Sequence, residues 1–101
     1  MEIQLVANAE GEALLISLDE CIDIRVAGEM RELFRDALAT GNGFILNGSA
    51  TMRADTAALQ LLLALFAKAK TNGVGLAWQV PSPALRDAAR QLGLDSALNL
   101  L

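Results

Sequence analysis

The run Phe44-Ile45-Leu46 is too short for a helix and has breakers on both sides, Gly41-Asn42-Gly43 before it and Asn47-Gly48 after it. It reads as a strand in the middle of a sheet. After a loop from Asn47 to Ala54, a helical stretch runs from Thr56 to Lys70 and Asn72-Gly73 stops it; Val74 to Val80 then reads as a second strand. This order of strand, helix and strand constrains the fold more than any other feature. A crossover helix must lie on a sheet face, and the two strands it joins then pair in parallel.

The rest of the chain extends the pattern. Ile3, Leu5 and Ala7 alternate with polar neighbours, and Ala13-Leu14-Leu15-Ile16-Ser17 is nearly all apolar, so two strands are expected around a turn at Glu10-Gly11-Glu12. Cys21-Ile22-Asp23-Ile24 reads as a short extended piece. Val26, Met30, Leu33, Phe34, Ala37 and Leu38 then recur at the spacing of a helix with one buried face, and Glu29, Arg31, Glu32, Arg35 and Asp36 fall on the wet side. Thr40-Gly41-Asn42-Gly43 closes that helix, since glycine accepts the left-handed conformation of a closing turn.

Pro81-Ser82-Pro83 opens a third helix, with Ser82 as N-cap and Pro83 in the first turn. Leu85, Ala88, Ala89 and Leu92 are expected to face inward, and Gly93 ends it. The apolar tail from Leu94 to Leu101 fits a last turn or a brief helix packed on the body. The expected architecture is one α/β domain over residues 1–101, a single mixed, mostly parallel sheet of about four strands with helices packed on it.

Composition narrows the function classes. Hydrophobic residues make up 53% of the 101, yet none of their runs reaches the ~18 residues a membrane span needs. No direct insertion into a membrane is expected. Met1-Glu2-Ile3-Gln4-Leu5 has neither a positive start nor an apolar signal segment, so a cytoplasmic protein is expected. With no histidine and one cysteine, Cys21, neither a metal site, a bound cofactor nor an internal disulfide is expected. Cys21 is read as a buried small apolar residue. A formal charge of −4, with the basic residues scattered among acids, works against binding nucleic acid.

The stretch Met52-Arg53-Ala54-Asp55-Thr56-Ala57-Ala58-Leu59 sets an acid and a hydroxyl at the start of an otherwise apolar helix. Asp55 is placed to cap it, its carboxylate accepting from free backbone N–H groups one turn in. Thr56 is then the first helical residue, with its hydroxyl near the surface. A phosphate there, carrying roughly two negative charges, would meet the positive end of the helix dipole, so the fold would tolerate it. A partner surface fitted to a neutral hydroxyl would instead meet a dianion. Ser49 and Thr51 compete as acceptors but lack the helix-start position. Along the same helix Ala57, Gln60, Ala64 and Lys68 form a small-residue stripe that fits either a docking face or ordinary solvated surface.

These residues resemble the signature of STAS domains, the family of anti-sigma factor antagonists. There an apolar strand ending in Asp leads through a loop to Asp-Ser/Thr-x-Gly-Leu opening an apolar helix; here Phe44-Ile45-Leu46-Asn47 precedes Asp55-Thr56-Ala57-Ala58-Leu59. Ile22-Asp23-Ile24, Ala67-Lys68-Ala69-Lys70-Thr71-Asn72-Gly73 and Leu92-Gly93-Leu94 extend the similarity over most of the chain. Asn47 stands where the family usually has Asp, and Ala58 where it usually has Gly.

The resemblance implies a non-catalytic, bacterial regulatory module that binds a partner protein and has Thr56 as its phosphoacceptor. Met52, Arg53, Asp55, Thr56, Ala57 and Gln60 are the expected partner-binding residues. The partners it implies are an anti-sigma factor or serine kinase, the ATPase subunit of a lipid-transport complex, or a regulator linked to a chemotaxis-type histidine kinase. For the transporter and chemotaxis cases the same surface is expected to make a constitutive contact without phosphorylation.

Overall fold

The computed structural model describes residues 1–8 and 11–100. In chain order the elements are β1 (Glu2–Asn8), β2 (Gly11–Ser17), β3 (Cys21–Ile22), α1 (Ala27–Ala39), β4 (Gly43–Gly48), β5 (Arg53–Ala54), α2 (Thr56–Thr71), β6 (Leu76–Pro81) and α3 (Pro83–Gln91). Four strands form one sheet in the order β1-β2-β4-β6. β1 runs antiparallel to β2, while β2–β4 and β4–β6 are parallel. The sheet is therefore mixed and mostly parallel, with β1 and β6 at its edges.

Register shows which face carries the core. Leu14 and Ile16 of β2 stand opposite Phe44 and Leu46 of β4, and all four are buried. Their alternates, Leu15 and Ile45, are only half-buried. Since side chains alternate across a strand, one face of the sheet holds the core and the helices lie on that face. Met30, Phe34 and Ala37 come from α1; Ala58, Leu59, Leu62, Leu65 and Ala69 from α2; Leu85 and Ala89 from α3. Leu98 and Leu100 of the tail close the same cluster, and Trp78 of β6 donates its indole N–H to the Leu98 carbonyl at 2.7 Å. Phe66 stacks on that indole with ring centroids 6.1 Å apart.

Local chemistry sets the element ends. Ser82 Oγ accepts from the Leu85 N–H and so caps α3, and it donates to the Thr51 carbonyl. Gly41, Gly73 and Gly93 end the three helices with φ of 76°, 71° and 71°, a region that costs an L-residue strain. Gly48 sits close against the core: a Cβ there would lie 2.9 Å from the end of the Leu85 side chain and 3.2 Å from Trp78, so a larger residue requires Leu85 to shift.

Four expectations are corrected. Of the turn expected at Glu10-Gly11-Glu12, Gly11 and Glu12 instead pair within β2, and Glu10 lies outside the described residues. The loop 47–54 is not all irregular, since β5 within it pairs in parallel with β3. Leu92 faces solvent; it is the C-cap, where the chain leaves the helix, and Leu94 packs on the core instead. Cys21 is half-buried and polar in its contacts, its thiol donating to Asp23 Oδ2 at 3.3 Å.

Candidate functional site

Two segments meet where α2 begins. The backbone of 51–55 is zipped onto that of 19–24: Met52 and Arg53 N–H both donate to the Glu20 carbonyl, at 2.7 and 3.1 Å, and Asp55 N–H donates to the Ile22 carbonyl at 3.1 Å. Thr51, which is buried, anchors the zip from inside by donating its hydroxyl to the Asp19 carbonyl at 2.9 Å. That bond makes Thr51 a structural residue and takes it out of competition as a surface acceptor. Ser49 is exposed, in a turn held by Asn47, whose Oδ1 accepts from the Ser49 N–H at 3.0 Å.

Asp55 has two tasks. In extended geometry at the N-cap (φ −96°, ψ 177°) it accepts from the Ala58 N–H on Oδ1 at 3.0 Å. Its other oxygen accepts from the Ile24 N–H at 2.9 Å. The carboxylate thus caps its own helix and fastens the loop entering α1 to it. A capping residue at this position is expected from the sequence; the second bond, to a residue 31 positions away, is not.

The loop it fastens has its own brace. Asp23 accepts from the Arg25 N–H at 2.9 Å and from the guanidinium at 2.6 to 3.2 Å. The Arg25 side chain, and after it the Cys21 thiol, hold the Asp23 carboxyl well below the usual carboxylate range, and Asp23 in turn holds Arg25 above its own. The brace leaves the Ile24 side chain projecting into solvent, 69% exposed.

Thr56 is exposed as the first residue of α2, and its hydroxyl makes no hydrogen bond among the described residues. Ala57 is half-buried and Gln60 exposed; together with Ile24, Ala27, Arg31 and Leu61 they line a shallow depression of about 200 Å³ between α1 and α2. Met52, 65% exposed, and Arg53 lie outside that depression, on the strand side of the helix start. The structure therefore brings Ala57 and Gln60 together with Ile24, Ala27 and Arg31, which sequence reasoning missed, while Asp55 and Thr56 precede Ala57 at the helix start without lining the depression. The signal for Ile24 was an apolar residue in a polar turn, Asp23-Ile24-Arg25. Ala58 is buried in the core cluster, so the methyl that replaces glycine points away from the Thr56 surface.

Chemically the arrangement presents a hydroxyl. No described acid or base is bonded to it, and the carboxylate of the preceding residue, Asp55, has both oxygens engaged by backbone N–H groups. Among the described residues no three Cys, Asp or Glu side chains gather as a metal site. Among the described residues no helix is long and apolar enough to cross a membrane.

A family model described as "Mlab, STAS domain" matches residues 5–101. The fold is similar to the solved anti-sigma factor antagonist SpoIIAA in its unphosphorylated form, at 19% identity and a TM-score of 0.69 over 94% of this chain and 84% of that one. The protein TM1081 is similar at 13% identity and a TM-score of 0.73, covering 97% and 78%. An antisigma-factor antagonist STAS domain from Rhodobacter sphaeroides is similar at 14% identity and 0.56, covering 76% and 83%. No curated protein matches the chain.

Proposed function

The chain belongs to the STAS domain family, and on that premise we propose that it is a non-catalytic regulatory module that docks onto a partner protein through the start of α2 and is released by phosphorylation of Thr56. The observation that carries this reading is the exposed, unbonded hydroxyl at the first position of a helix whose cap and neighbouring loop are braced. The partner is an anti-sigma factor kinase or a comparable ATP-binding regulator. Its surface packs on Ile24, Ala57 and Gln60, with Met52 and Arg53 at the margin. Phosphate at Thr56 is tolerated by the N-terminal end of the helix dipole and repelled by a partner surface fitted to a neutral contact.

The test is binding of the partner, recovered from the host by affinity capture and then purified, to wild type, Thr56→Val and Thr56→Glu chains. Affinity retained by Thr56→Val and lost by at least about tenfold, or roughly 1.4 kcal/mol, in Thr56→Glu supports the switch. Equal affinity for all three rejects it.

A second reading is favoured by Asn47, the residue that stands where the family usually has Asp. Its side chain is committed to the turn at Ser49, and it supplies no charge beside the strand end for a kinase to recognise. In this reading the same surface makes a constitutive contact, as in a lipid-transport ATP-binding cassette complex. Intact mass measurement of protein from the native host separates the two, since a species heavier by about 80 Da, one phosphoryl group, belongs only to the switch.

A further inference from the structure

Away from the Thr56 surface, on the opposite flank of α1, an apolar trough of about 500 Å³ runs between that helix and β1. In the β1–β2 ladder Ile3 stands opposite Ile16 and Leu5 opposite Leu14. Directly opposed residues share a face, so Ile3 and Leu5 point to the side of the sheet where the helices lie and where Leu14 and Ile16 are buried. Yet Ile3 is 41% and Leu5 56% exposed. β1 is an edge strand, and α1 borders it with Leu33 and Ala37 without lying over it.

The rim of this trough carries one sign of charge. Glu29, Glu32 and Asp36 follow one another along α1 at helical spacing, and no Lys or Arg lines the trough. Glu32 is paired with Arg35 in an exposed contact at 3.2 Å, whereas Glu29 and Asp36 have no ion pair among the described residues; the Met1 ammonium, bound to Asp19 at 2.9 Å, is attracted to Glu29 without pairing with it. A flat, half-covered sheet face is the natural seat of a helix, and an acidic rim selects the charge that helix carries.

We propose that this trough seats an amphipathic helix of a partner protein, with an apolar face on Ile3, Leu5, Leu14 and Leu33 and Lys or Arg residues facing Glu29, Glu32 and Asp36. The helix lies beside α1 on the sheet, in the place a further helix of the chain itself would take. Charge argues against a second copy as the occupant, because a two-fold contact through the trough sets the same three acids of both copies against one another. It argues equally against an anionic lipid surface. The proposal does not rest on the role of Thr56.

The test is a titration of the isotope-labelled chain, followed by amide NMR, with a synthetic amphipathic helix of leucine and lysine about 14 residues long, some four turns. A matched peptide carries glutamate in place of lysine. The expected result is amide shifts at Leu5, Leu14, Leu33 and Asp36 with the lysine peptide, at least tenfold weaker binding to the Glu29→Lys/Asp36→Lys chain, and weakening with added salt. Both acids are exposed and unpaired, so this variant keeps its fold, which its own spectrum checks; Leu5→Gln removes apolar floor without altering charge and is expected to weaken the peptide several-fold. Shifts confined to Ile24, Ala57 and Gln60, equal binding of the glutamate peptide, unchanged affinity in the charge-reversed chain, or no binding up to millimolar peptide each overturn the proposal. A wild-type dimer in sedimentation that becomes a monomer on Leu5→Gln assigns the trough to a second copy and overturns it too.

Discussion

The two flanks of α1 differ in charge although they belong to one helix of 13 residues. Towards α2 the helix offers Arg31 and Arg35, which with Lys68 edge a groove floored by Phe34, Leu38, Leu61, Ala64 and Leu65. This groove shares Arg31 and Leu61 with the depression at Ala57 and Gln60, so the two are continuous. Towards β1 the same helix offers Glu29, Glu32 and Asp36. Arg35 and Glu32, bonded across the crest, mark the divide. A net charge of −4 therefore says little about local charge: helical spacing sorts the side chains of one element into a basic flank and an acidic flank.

Emptying the core under both flanks disturbs the two together. Phe34 is buried where α1 meets the sheet and α2, and Phe34→Ala is expected to lower stability by about 3–5 kcal/mol in urea denaturation. A loss under ~1 kcal/mol would mean that α1 is not held by that side chain. A sharper cut separates the flanks. Asp55→Ala removes the α2 cap and the strap to Ile24, so a loss of about 1–3 kcal/mol is expected, with faster amide exchange at Ile24 and Ala58 and none at Leu5 or Leu14. Uniform acceleration of exchange would show that the two flanks are not independent.

Smaller effects sharpen the contrast further. Thr56→Glu is expected to change stability by no more than about 0.5 kcal/mol, because the residue is exposed and its helix end favours negative charge. A large destabilisation would give the hydroxyl a structural role. The smallest effect concerns acid. Since Arg25 depresses the Asp23 pKa, the contact between them is complete above the usual aspartate range and is lost only as pH falls well below it. In carboxyl carbon NMR the Asp23 resonance is expected to stay at its ionised position as pH drops through ~3.9. A midpoint at that value would show that the brace under Ile24 does not hold in solution.

Much of the fold was legible because its signals are local. Glycine at the helix ends, Ser82 and Asp55 at the caps, and the periods of β1, β2, β4, α1 and α2 each act within a few residues, and the structure has these elements within one to two residues of where the pattern puts them. Thr56 at a helix start followed from the same cap. β5 was not legible, since two residues carry no period and extend only because β3 lies alongside. Leu92 was misplaced for a related reason: helical spacing continues past the point where Gly93 turns the chain, and the pattern cannot tell Leu92 from Leu94.

The chain's own order of residues determined the four strands of the main sheet, the three helices and their caps, and that a hydroxyl stands at the first turn of α2. Tertiary structure decided which strand lies at the edge, and therefore that Ile3 and Leu5 are left half-covered while Leu14 and Ile16 are buried. It also decided that Asp55 reaches Ile24, 31 residues away. Periodicity and capping act between residues a turn apart and can be read from the chain; edge position and long-range bonds depend on how whole elements pack, which no single segment encodes.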